Sequence, residues 1–79
     1  MEEYSKAEVD FMRQIGKGLQ QLREQSKYDD PEMFALSIGM DYETYRKYER
    51  GINISIISLH RLLTHHEMSV PDFLNECKS

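Results

Sequence analysis

The sequence is poor in the features that many small specialised domains depend on. It has one cysteine, Cys77, in 79 residues. No internal disulfide can form, which fits a reducing cytoplasm. Apolar runs reach only a few residues, as at Ile56-Ile57, so no segment is expected to span or anchor in a membrane. Met1-Glu2-Glu3-Tyr4 carries acids where a secretory signal needs positive charge and an apolar stretch. There is no internal repeat, low-complexity tract, linker or glycine-rich phosphate loop, and no Ser/His/Asp set. Metal ligands on one helix want spacings of three or four, whereas His60 stands five and six residues before the adjacent His65 and His66. Asp29, Asp30 and Glu32 read as a solvated acidic turn rather than as catalytic carboxylates. The chain is therefore expected not to be an enzyme, with no cofactor, no metal and no small-molecule substrate.

What is present is ordinary for a globular domain: 39 % hydrophobic and 30 % charged residues. The length suits a single domain over 1–79. A chain of this size buries roughly 60–65 % of its unfolded surface, enough for one core but not for an enclosed active site. The formal net charge is −4. That counts against nucleic-acid binding unless the cations gather on one face.

The pattern predicts helices only. Ser5 with Glu8 makes a capping box. Val9, Met12, Ile15, Leu19 and Leu22 then recur at helical spacing to about Gln25. Gly16 and Gly18 interrupt this helix and allow another element to approach closely. Asp30 as N-cap and Pro31 at the first helical position open a second helix, which runs to Ile38 with Phe34, Ala35 and Ile38 inward. Gly39 suits the left-handed position after it. Asp41 caps a third helix over 42–49. Ser55 caps a fourth over 56–66, with Ile56, Leu59, Leu62 and Leu63 inward. Ser69 and Asp72 open a short fifth helix holding Val70, Phe73 and Leu74. Residues 1–4 and 75–79 are expected to fray.

The informative unit is a short helix, a glycine turn and a second short helix over 31–49, the layout of a helix-turn-helix. The order Phe34-Ala35, Gly39, Asp41, Tyr45, Tyr48-Glu49-x-Gly51 resembles the phage-repressor (Cro and repressor, XRE) family. Its pattern reads approximately Leu-Ala, three residues, Gly-Val-Ser, three residues, Ile, two residues, Ile-Glu-x-Gly. The spacing matches without a gap, and the likeness extends over about three quarters of the chain, from Ile15 to Leu74. Tyr48–Ser55 with Ser69–Phe73 further resembles a compact subgroup found in Bacteroides-type bacteria. The resemblance implies a compact all-α, five-helix, lambda-repressor-like bundle. It also implies a bacterial transcriptional regulator that binds double-stranded DNA as a homodimer, on two half-sites about one helical turn apart.

A helical wheel at about 100° per residue gives a separate argument. It sets Tyr45 and Tyr48 on one side of the third helix and Glu43, Arg46, Lys47 and Arg50 on the other, with Tyr42 at the edge. One face can anchor in a core while the other meets a groove. By the resemblance, Tyr42, Glu43 and Lys47 fall at positions that touch base edges, with Arg46 beside them. Thr44 can reach a phosphate or a thymine methyl. Arg50, Asn53 and Ser55 fall in the loop that meets the DNA backbone. The family also pairs the glutamate at position 49 with an arginine of the first helix, here Arg23.

Plainer readings stand beside these. Glu43 and Lys47 are four apart and can simply pair with each other. Asp29, Asp30 and Pro31 occupy a helix start where the family usually binds a phosphate, and Pro31 has no N–H to give. Ile52 and Ile54 replace the basic residues usual in the following loop. With Ile57, they either form an exposed oligomer surface or close the core. An antitoxin or adaptor that binds protein on the same fold is the alternative these departures leave open.

Overall fold

The computed structural model describes residues 3–77, which form five helices and no strand. α1 spans Lys6–Gln25, α2 Pro31–Ser37, α3 Tyr42–Glu49, α4 Ile56–Thr64 and α5 Val70–Cys77. Each helix begins where a short polar side chain takes up an amide that has no partner within the helix. Ser5 Oγ accepts from the Glu8 amide at 3.1 Å, and the Ser5 amide donates to the Glu8 carboxylate at 2.7 Å, closing the capping box. Asp30, Asp41 and Ser55 cap α2, α3 and α4. Ser69 Oγ accepts from the Asp72 amide at the start of α5.

Three helices end on the same device. The amides of Met40, Ile52 and Met68 bond back to the carbonyls of Ala35, Lys47 and Leu63. Just before each stands a residue in the left-handed region: Gly39 at φ 72°, Gly51 at φ 88° and Glu67 at φ 54°. Glu67 fills a place that glycine normally takes. This turn closes α4 at Thr64, two residues short of the expected end.

The core draws on every helix: Ile15 and Leu19 of α1, Phe34 and Ala35 of α2, Tyr45 of α3, Leu59, Leu62 and Leu63 of α4, and Phe73 of α5. Phe34 sits among three rings. Tyr45 lies 5.0 Å away, His66 stacks at 5.2 Å and Tyr28 meets it edge-on at 5.8 Å. Ile56 does not join this core. It is 63 % exposed, because the first turn of α4 holds no buried residue and packing begins one turn later at Leu59.

Two of the residues expected to fray, Tyr4 and Cys77, bond to other parts of the chain. Asn75–Cys77 continue α5, and the Cys77 carbonyl accepts from the Gln14 side chain on α1. Tyr4 is met by the Asn53 side-chain amide at 3.5 Å. The remaining tail positions, 1–2 and 78–79, lie outside the described residues.

α1 and the end of α3 meet backbone to backbone. A Cβ on Gly16 would stand 2.6 Å from the Glu49 carbonyl and 2.7 Å from the Gly51 nitrogen. A Cβ on Gly51 would stand 2.8 Å from the Arg13 Cα. The two glycines let the helices approach where any side chain would hold them apart.

Candidate nucleic-acid interface

α3 is held at three points along its inner side. Asp41 caps its start, accepting from the Thr44 amide at 3.2 Å. Tyr45 fills the middle, 1 % exposed. At its end, Glu49 forms a two-point ion pair with Arg23 of α1. Nε donates to Oε2 at 2.7 Å and Nη2 to Oε1 at 3.3 Å. Arg23 is 4 % exposed and also donates through Nη1 to the carbonyls of Tyr28 and Asp29. One guanidinium therefore ties α1, the turn before α2 and the end of α3 together. The bond to Glu49 raises the Arg23 pKa further, so the charge is permanent. The Tyr45 hydroxyl is buried with no hydrogen-bond partner among the described residues. Burial, and then the nearby Glu49 carboxylate, raise its pKa and keep it protonated.

The outer side of α3 is free of such ties. Glu43, Arg46, Lys47 and Arg50 are exposed, and Tyr42 is half-buried at the edge. Among the described residues none of the four charged groups forms an ion pair, so Glu43 and Lys47 do not neutralise each other. Three cations and one acid project from a face whose reverse is locked into the core.

Three other sequence candidates are spent inside the chain. Thr44 Oγ1 donates to the Asp41 carboxylate at 3.4 Å. Asn53 donates to Tyr4. Ser55 accepts from the Ser58 amide at 3.1 Å and donates to the Ser58 hydroxyl at 2.9 Å. At the start of α2 the Asp30 carboxylate already takes the Glu32 amide, and Pro31 offers none.

Two open grooves flank the loop that follows α3. One is polar and mainly basic, lined by Asp10, Arg13, Gln14, Lys17 and Gln20 of α1 with Glu49 and Arg50. Arg13 and Lys17 are functional candidates that the helix-turn-helix pattern does not include. Their signal in the sequence is the polar stripe 10, 13, 17, 20 on α1, spaced three and four apart. The second groove, about 370 Å³, is apolar, lined by Tyr4, Phe11, Met12 and Ile15 of the N-terminal region with Ile52 and Ile54. Of the isoleucines expected as a group, Ile52 and Ile57 are exposed and Ile54 is half-buried against the core.

No family model, curated protein or solved structure matches the chain. Among the described residues, no helix is long and apolar enough to cross a membrane. None of their His, Cys, Asp and Glu side chains gather into a group of three that could hold a metal ion.

Proposed function

We propose that this chain is a sequence-specific DNA-binding transcriptional regulator of the phage-repressor type, with a lambda-repressor-like bundle. It works in the cytoplasm and reads the major groove with α3. The observation that carries this reading is the division of α3. Tyr45 and Glu49 fix its inner side, while Arg46, Lys47 and Arg50 stand exposed and unpaired on the outer side. A helix that reads bases needs a rigid mount and donors free to meet guanine O6 and N7. Arg46 and Lys47 supply the donors, Glu43 can accept from cytosine N4, and Tyr42 borders them. Arg50 meets phosphate. Thr44, Asn53 and Ser55 reach DNA only by giving up their internal bonds. The protein acts as a homodimer on two half-sites and performs no chemistry, blocking or assisting polymerase by occupancy.

A second reading, a protein-binding module on the same bundle, is favoured by the apolar groove, where Phe11 is 56 % and Ile52 50 % exposed. Selection from a random duplex library at low salt separates the two. Enrichment of one site, with binding lost in Arg46→Ala and Lys47→Ala, supports the DNA reader. No enrichment, or binding indifferent to both substitutions, overturns it.

A further inference from the structure

We infer that Arg13 and Lys17 of α1 form a second row of phosphate contacts, so that the DNA backbone is gripped between α1 and α3. The inference rests on the DNA-reading proposal and extends its footprint to a helix outside the helix-turn-helix. Arg13 and Lys17 are exposed, four residues apart on one stripe of α1. Across the groove stands Arg50, with Arg46 one turn earlier on the same stripe of α3. Each pair spans one helical turn, an axial rise of ~6 Å. Arg13, Lys17 and Arg50 thus line one trough, with the base-reading Arg46 one turn beyond Arg50.

Charge in this trough departs from that of the chain. Its cations are Arg13, Lys17 and Arg50, three against the two acids Asp10 and Glu49, in a protein of net charge −4. Of these acids, Glu49 has both oxygens engaged by Arg23. Glu24, further along α1, accepts from Gln20. None of the three cations has an ion-pair partner among the described residues. The position of the trough is fixed, because Gly16 lies between Arg13 and Lys17 in α1 and packs on the carbonyls of Tyr48 and Glu49. The α1 row cannot slide relative to α3.

Phosphate is the matching ligand: a repeated anion that two cations one turn apart can meet in succession, with no base-edge chemistry required. These contacts also replace what the acidic start of α2 fails to offer. Asp30 and Pro31 give no free amide there, and α1 supplies the anchor beside the end of α3 instead.

Salt dependence provides the test. Each phosphate contact contributes about one unit to the slope of log K against log salt. The full chain is titrated with its selected duplex, and with an unrelated duplex, across a range of salt concentrations. Arg13→Gln with Lys17→Gln is expected to lower the slope by about two units. Affinity should fall equally on both duplexes, leaving the preference between them intact. Arg13→Lys with Lys17→Arg should restore the slope. The melting temperature should be unchanged throughout, since both side chains are exposed. An unchanged slope, while Lys47→Ala still weakens binding, overturns the α1 row and leaves the DNA-reading proposal standing. Failure of the wild-type chain to bind any duplex overturns both.

Discussion

The two grooves beside loop 50–54 are built from the same two pieces of chain and have opposite chemistry. On one side α1 contributes Arg13 and Lys17, and the loop begins with Arg50. On the other side α1 contributes Phe11, Met12 and Ile15, and the loop continues with Ile52 and Ile54. The Gly16–Gly51 contact lies between them. A 20-residue helix is long enough to serve two surfaces at once, provided one close backbone contact keeps them apart. The difference also shows why net charge misleads in this protein. The chain carries −4 overall, while three cations and two acids line the polar groove.

The largest effect should come from the support the grooves share. Glu49→Ala strands a buried guanidinium, and removing one partner of a buried pair costs about 3–5 kcal/mol. For a domain this small each kcal/mol is worth roughly 4–8 °C, so thermal unfolding should show the loss directly. A loss below ~1 kcal/mol would mean that Arg23 is satisfied by the Tyr28 and Asp29 carbonyls alone. Gly16→Ala should cost about 1–3 kcal/mol, because its Cβ meets backbone rather than a flexible side chain. Urea unfolding measures this, and a neutral result would show that the α1–α3 contact can open.

The next pair separates the two surfaces. Lys47→Ala should cost roughly 1–3 kcal/mol in binding to the selected duplex. Ile52→Gln should change that affinity by no more than about 0.5 kcal/mol. Equal effects in a binding titration would erase the distinction between the grooves.

Smaller effects lie away from both. Burial against Phe34, and then the charge of His65, lower the His66 pKa below the ordinary histidine value. The unfolded chain therefore takes up the proton first. Stability should be flat above about pH 6.5, fall as pH drops through that value, and level off once the folded state is protonated too. Denaturant unfolding at several pH values shows this window, which His66→Gln should remove. Smallest of all, Glu67→Gly should stabilise by about 0.5–1 kcal/mol, since a non-glycine residue in the left-handed region costs ~1–2 kcal/mol and glycine returns part of that as chain entropy. A loss of stability would mean that the Glu67 side chain makes a compensating contact.

Local rules made much of the fold legible from sequence. Ser5, Asp30, Asp41, Ser55 and Ser69 announce helix starts because a cap acts within three residues, and Gly39 announces its turn for the same reason. The end of α4 was hidden, since Glu67 stands where glycine would have given the signal. Ile56 has the right spacing to be inward but sits beyond the end of the core. Spacing identifies a helical face and says nothing about how far the neighbouring helices reach. The outer face of α3 followed from its own periodicity. The Arg23–Glu49 pair came with the family resemblance, not from spacing. The groove of Arg13 and Lys17 is not legible in the sequence because it needs Arg50, distant in sequence and brought close by two glycines.

Amide chemical shifts of the labelled chain, followed as the selected duplex is added, test the DNA reading most directly. Shifts should concentrate in 42–50, with a second group around Arg13 and Lys17 if the α1 row also holds, and with Phe11, Ile52 and Ile54 little changed. Shifts confined to Phe11 and the isoleucine loop, or none at all, would contradict it.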